Sequence, residues 1–187
     1  MGAEFLAAGS RRGFTIWTEG LWHERAGYNT STTTFTRYQP WYHAFIPEWG
    51  QGGRHIVGDP LTGKLYEQSL NYYDDDGAAI QYLRAFPHLL NEDKHLFHHR
   101  FEAYMETGTV KAGDPEMIVG LDWSNDRGHT FLTLAPLHSS GVNNDFDKRI
   151  VWRRLGRARD RVYRIGVQGK AKVALTDAFL EATPGTS

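Results

Sequence analysis

The residues with the most chemical promise lie between Ser124 and Phe131, where the chain reads Ser-Asn-Asp-Arg-Gly-His-Thr-Phe. The spacing is that of an Asp box, Ser-x-Asp-x-Gly-x-Thr-aromatic. Ser124 and Asp126 carry oxygens that accept hydrogen bonds from turn amides, and Gly128 tolerates a positive φ. Thr130 and Phe131 complete the pattern, with the aromatic ring anchored beneath a hairpin. Asp boxes occur in sialidases and in many β proteins without catalysis, usually as turn staples away from an active centre. Ser124, Asp126, Gly128, Thr130 and Phe131 are therefore expected to form a structural turn.

Catalytic constellations are hard to assemble from the remaining residues. A sialidase needs three arginines around a carboxylate, a Tyr–Glu pair and a complete propeller, and 187 residues are too few for that frame. A glycosidase needs two carboxylates facing each other across a cleft. Glu24, Glu67 and Asp59 are the candidates, and each reads better as a strand or turn residue. His95 and His99 would share a helix face and bind Zn²⁺ there, but the His-Glu-x-x-His glutamate is missing and the context is loop into strand. Asp74, Asp75 and Asp76 are consecutive, without the alternation of a Ca²⁺ loop. The chain has no cysteine, which removes disulfides and thiolate chemistry. No phosphate-binding or nucleophile-elbow motif appears. The sequence reads as a non-enzyme with no catalytic residue, cofactor or metal.

Charge supplies a second signal. Residues 147–172 hold ten Lys/Arg against Asp147 and Asp160, a local balance of +8, while the rest of the chain carries −9. Such asymmetry fits an oriented electrostatic contact. Arg149, Arg153, Arg154, Arg157, Arg159 and Arg161 are the candidate residues for contact with another subunit or with DNA. In an extended strand Arg157, Arg159 and Arg161 would share one face.

The elements that would position these residues are strands. Aromatics are abundant, with 6 Trp, 9 Tyr and 10 Phe, and Gly reaches 20; this composition fits pleated surfaces joined by turns. Residues 14–17 and 21–25 flank a Thr-Glu-Gly turn, and residues 55–58 and 64–70 flank Asp-Pro-Leu-Thr-Gly. Aligning Gly20 with Gly63 places Glu24 on Glu67, an offset of 43 residues, the length of a propeller blade. Residues 30–49 should add one or two strands, and residues 71–77 a hairpin turn ending in Asp-Gly. The polar stretch 87–100 reads as a junction. Six strands follow, at 101–107, 117–123, 129–134, 149–154, 161–167 and 173–181. The expected organisation is all-β: a flexible start over 1–10, propeller-blade-like hairpins over 11–100, a compact β-sandwich-like unit with the Asp-box hairpin over 101–182, and a flexible tail over 183–187. No segment approaches the ~20 apolar residues of a membrane-spanning helix, and the start lacks the basic region of a signal peptide.

Several stretches resemble the packaged-DNA stabilisation proteins of short-tailed bacteriophages. The box from Trp123 to Phe131 is one. The run Arg-Ile-Val-Trp-Arg-Arg-Leu-Gly-Arg-Ala-Arg-Asp-Arg-Val-Tyr from Arg149 to Tyr163 is the most specific. Leu-Trp-His-Glu-Arg at 21–25, His-Ile-Val-Gly-Asp at 55–59 and Met-Glu-Thr-Gly at 105–108 are also similar to that family. Arg127 stands where its box usually has Gly, and Phe131 where it has Trp. The similarity spans about residues 14–182 and corresponds to the C-terminal portion of longer proteins. It implies a structural virion protein of a tail or head-to-tail connector, in several symmetric copies, assembled in the bacterial host cytoplasm. It would help close the portal channel and stabilise packaged DNA. The partners implied are further copies of the chain and other phage portal and tail proteins, with weak or indirect contact to packaged double-stranded DNA. The competing readings are a non-catalytic carbohydrate-binding β module at a tail tip and, behind it, a sialidase-like hydrolase.

Overall fold

The computed structural model describes residues 7–10, 13–18, 21–29, 34–92 and 94–185; of these, side chains before 26 and that of Tyr28 are not described. The chain is all-β; the described residues form sixteen strands, in two units, Met1–Tyr72 and Tyr73–Ser187. The first unit holds two antiparallel meanders. One is four-stranded, β1 (Ala7–Ser10), β2 (Gly13–Thr18), β3 (Leu21–Asn29) and β4 (Thr34–Arg37). The other is three-stranded, β5 (Tyr42–Ile46), β6 (Arg54–Gly58) and β7 (Leu65–Glu67). The strands come from aromatic and β-branched runs, and the β6–β7 turn is built by Asp59. Its carboxylate accepts from the Leu61 amide at 2.8 Å and the Thr62 hydroxyl at 2.6 Å, bonds that hold its pKa below the usual carboxylate range. Glu67 pairs with Arg54. Of the three carboxylates weighed as glycosidase candidates, Asp59 is thus a turn former and Glu67 a cross-strand ion-pair partner, and the Glu24 side chain lies outside those described.

The second unit is a sandwich. Its larger sheet runs β13 (Leu132–Ser139), β12 (Ile118–Ser124), β15 (Asp160–Gly169), β9 (Ala78–Ala85), β8 (Asp74–Asp75), with β10 (Leu89–Leu90) pairing the start of β15. The smaller sheet runs β14 (Ile150–Ala158), β11 (Leu96–Met105), β16 (Leu175–Pro184). Side chains of β12 and β15 alternate inward. Val119 and Leu121 of β12 and Tyr163, Ile165 and Val167 of β15 meet Phe101 and Ala103 of β11 and Ile150 and Trp152 of β14. Phe101 is central, with ring centroids 5.2 Å from Tyr163, 5.5 Å from Phe86 and 6.2 Å from Trp152. Gly108 closes a loop beside this core. Its φ is +70°, and a Cβ there would lie 2.6 Å from the Asp145 amide nitrogen, so only glycine fits in the Met-Glu-Thr-Gly motif.

Several expected boundaries move. The junction placed at 87–100 lies inside the sandwich, because β9 pairs with β15 and β11 begins at Leu96. Residues 73–100 therefore belong to the second unit rather than to a blade-like region ending at 100. Ala7–Ser10, expected as part of a flexible start, pairs with β2, and residues 1–6 lie outside the described residues. Thr183 and Pro184, expected in a flexible tail, extend β16, and the Gly185 amide donates to the His95 carbonyl at 2.7 Å. The strand expected over 64–70 shortens to Leu65–Glu67. The 43-residue offset does not keep its register: Thr18 pairs Leu21 in the first copy, whereas Gly58 pairs Leu65 in the second. The two loops differ in length, so matched residues do not take matched pairing positions.

A β-bulge interrupts β11 between His98 and Arg100 and turns His98 into the core, 2% exposed. Neither ring nitrogen has a hydrogen-bond partner among the described residues. Burial first, then the nearby Arg161 and His99 charges, lowers its pKa from 6.5 to about 4. The unfolded chain then binds the extra proton between those values, so this site favours folding fully above pH 6.5 and loses that advantage as pH falls toward about 4. Replacing His98 with Leu is expected to flatten the fall in melting temperature across this window; an unchanged pH profile would show that His98 is not its source.

Candidate functional site

The arginine run does not form one strand. β14 ends at Ala158 in the smaller sheet and β15 begins at Asp160 in the larger, so the chain changes sheets at Arg159. Arg157, Arg159 and Arg161 therefore do not share a strand face. Arg161 points inward and is 3% exposed. Its Nε donates to Asn125 Oδ1 at 2.9 Å, one terminal nitrogen to the Leu155 carbonyl and the Tyr163 hydroxyl, and the other to the Arg157 carbonyl at 3.3 Å. The guanidinium lies 4.6 Å from the Trp123 ring centroid. Burial raises the Tyr163 pKa, so its hydroxyl stays protonated beside this cation. Arg161 was a candidate contact residue; burial withdraws it from any external surface and makes it a staple between sheets.

The other arginines fall into two groups. Arg149 forms a two-pronged pair with Glu102, at 2.7 and 2.9 Å, and Arg100 approaches the same carboxylate at 3.6 Å. Arg164 donates twice to Asp122 and lies 4.0 Å over the Phe131 ring. Arg159 also has an interaction within the chain. By contrast Arg153, Arg154 and Arg157 are exposed and form no ion pair among the described residues. Of the six candidate contacts, Arg149, Arg159 and Arg161 have partners within the chain, only Arg161 being buried, and Arg153, Arg154 and Arg157 point outward on the edge strand β14.

The Ser124–Phe131 turn joins β12 to β13 beside this corner. Ser124, 1% exposed, accepts from the Gly128 amide at 2.8 Å and donates to Asp126 at 2.6 Å. Asp126 accepts from the Thr130 amide at 2.9 and 3.0 Å and from the Thr130 hydroxyl. The Ser124 and Thr130 hydroxyls, then the Thr130 amide, lower the Asp126 pKa strongly. Arg127 and Gly128 both have positive φ, 62° and 88°. Arg127 reaches Asp160, 3.6 Å away, which also meets His88 at 2.9 Å. A cleft of about 500 Å³ opens here, lined by Asn125, Asp126, Arg127, Arg157, Arg159 and Asp160. His98 faces inward while His99 faces outward to Thr183, 2.8 Å away, so the histidine cluster diverges. Among the described residues no group of three metal-ligating side chains occurs. A second cleft, in the first unit, is lined by Asn29, Arg37, Tyr38 and Trp41; there the Arg37 guanidinium sits 4.2 Å over the Trp41 ring.

With this geometry in place, comparison with protein families matches residues 81–183 to the family described as bacteriophage P22 Gp10, β-sandwich. The chain belongs to that family of phage structural proteins. The matched span begins in β9 and ends in β16 and so lies within the second unit, leaving out β8 and the first residues of β9. It contains the Asp-box turn, the Arg161 corner and the exposed arginines. No curated protein matches the chain.

Two outcomes follow from this division of labour. Replacing Arg161 with Met strands the Leu155 and Arg157 carbonyls and Asn125, and is expected to cost roughly 3 kcal/mol or more. Arg153→Ala and Arg157→Ala should each stay within about 0.5 kcal/mol of the parent. Equal losses in chemical denaturation would contradict the division. For the turn, Ser124→Ala removes a buried acceptor from the Gly128 amide and should cost about 1–2 kcal/mol. Asp126→Asn should lower the melting temperature at pH 7, and the gap should close as pH falls below 3.8, where unfolded Asp126 protonates and its folded-state advantage disappears. A gap that is constant with pH would show that the carboxylate charge does not hold the turn.

Proposed function

We propose that the chain is a non-enzymatic structural component of a phage tail or head-to-tail connector, assembled in the host cytoplasm, which helps close the portal channel and retain packaged DNA. The observation that carries this reading is the match of residues 81–183 of the sandwich to the Gp10 family, with the most specific sequence run forming its inter-sheet corner. The surface supports it. Phe97, Leu132, Leu137, Val142, Phe146 and Phe179 are exposed in the second unit, and Trp41, Tyr42, Phe45 and Trp49 in the first; large exposed apolar groups favour contact with other chains. The titratable groups with perturbed pKa are occupied in turns, ion pairs or the core, so none is poised as an acid–base pair. Arg153, Arg154 and Arg157 provide a subunit-contact edge, with DNA phosphate the rival partner.

The test is particle assembly with and without the chain. Particles assembled without it are expected to fill and then release their DNA. Stable, filled, infectious particles lacking it would refute the proposal. Binding to a glycan array, or turnover of aryl glycosides lost on mutating one carboxylate, would move the function to the carbohydrate readings.

A further inference from the structure

The cleft in the first unit is built differently from the one beside the Asp-box turn. It measures about 600 Å³ and is walled by Arg37, Tyr38, Gln39, Trp41, Pro60 and Leu61, a size within the range of ligand sites. Asn29 and Thr36 complete a lining that contains no carboxylate. The end of β4 and the chain leading into β5 supply one wall, and the β6–β7 turn supplies the other. The Trp41 amide donates to the Gly58 carbonyl of β6 at 3.0 Å and ties the two together. Gln68 donates to the Tyr38 hydroxyl at 3.1 Å, and the Asp59 carboxylate holds the turn that carries Pro60 and Leu61. The walls are therefore set before anything enters.

What the walls present is one-sided. Trp41 is 46% exposed, and its indole N–H donates to no described residue. The Gln39 side chain is exposed and likewise makes no hydrogen bond among the described residues. The Arg37 guanidinium stacks 4.2 Å over the Trp41 ring and has no ion pair among the described residues. Asp59, beside the wall in sequence, is consumed by its own turn. The cleft thus offers aromatic faces, hydrogen-bond donors and a cation, and no anion. A matching ligand has a flat apolar face, carbonyl acceptors with few competing donors, and a negative charge. An extended chain containing proline meets these needs. Proline has no N–H, a polyproline II backbone makes no internal hydrogen bonds, and its rings seat on grooves lined by aromatic side chains. A neighbouring Asp or Glu supplies the charge for the guanidinium fork. Sugar rings also stack on aromatics, but their hydroxyls donate and call for carboxylate acceptors, which this lining lacks.

We propose that this cleft binds an extended, proline-containing acidic segment of another virion protein, with a proline ring against Trp41 and Tyr38 and an Asp or Glu on Arg37. That the segment belongs to a virion protein rests on the function proposed above; its chemistry rests on the cleft alone. Because the carboxylate contact is exposed, salt weakens it.

Titration of the full chain with short synthetic Pro-x-x-Pro peptides, carrying Asp, Ser or Lys at one x position, tests this. The Asp peptide should bind best, and the Lys peptide at least roughly tenfold more weakly. Trp41→Ala should abolish binding of all three, and Trp41→Phe, which keeps a ring without the indole donor, should weaken all three. Arg37→Glu should reverse the charge preference. Both side chains are exposed, so each variant should melt as the parent does. The proposal falls if no peptide binds, if binding survives Trp41→Ala, if Arg37→Glu leaves the order of the peptides unchanged, or if an acidic oligosaccharide binds through Trp41 where the peptides do not. Particles assembled with the Trp41→Ala chain should lose a virion protein that parent particles retain. Particles of unchanged composition overturn the assigned partner, while the chain's structural role fails only if particles lacking the whole chain are stable and filled.

Discussion

The sandwich depends on one buried cation. Arg161 is placed where the chain leaves one sheet and enters the other, and its guanidinium is satisfied by two main-chain carbonyls, an amide side chain and a hydroxyl. No carboxylate pairs with it among the described residues. A buried charge without such partners is costly; with them, it fixes the geometry of everything it touches. It holds the end of β14 through Leu155 and Arg157, and the Asp-box turn through Asn125. Burial first, and then this cation, keep His98 neutral.

That corner sorts the remaining arginines. Those facing a carboxylate are drawn into cross-strand pairs, as Arg149 is by Glu102 and Arg164 by Asp122. Those on the free side of β14 face solvent, and a bulge leaves Arg154 in a left-handed conformation. The exposed charge is thus a consequence of strand order: β14 is the edge of its sheet, so no neighbouring strand supplies an acid. The same edge is blunted by positive charge, a device that discourages indiscriminate strand pairing while leaving a specific electrostatic contact available.

The local features were readable in the sequence and the long-range ones were not. The Ser124–Phe131 turn could be anticipated because its hydrogen bonds connect residues at most four apart. The Asp-Gly hairpin and the Asp59 turn were readable for the same reason. Arg161 could not be placed, because its burial depends on a change of sheet that alternation along one strand does not reveal. β11 begins before the strand expected from 101, because its bulge breaks the inward–outward rhythm and histidines and arginines occupy a strand that looks polar. β9 lies outside the strands expected from the sequence, and its burial pattern shows no clean alternation. The resemblance of the arginine run to a phage family was visible from its wording, but its physical role as an inter-sheet corner emerged only with the fold.

The most direct test is the reactivity of each arginine toward a guanidinium-specific dicarbonyl reagent, mapped by mass spectrometry on the native chain. Rapid modification of Arg153, Arg154 and Arg157 is expected, with Arg161 protected until the sandwich unfolds. Modification of Arg161 at the rate of Arg157 under native conditions would contradict it, because the corner could not then be closed around a buried guanidinium.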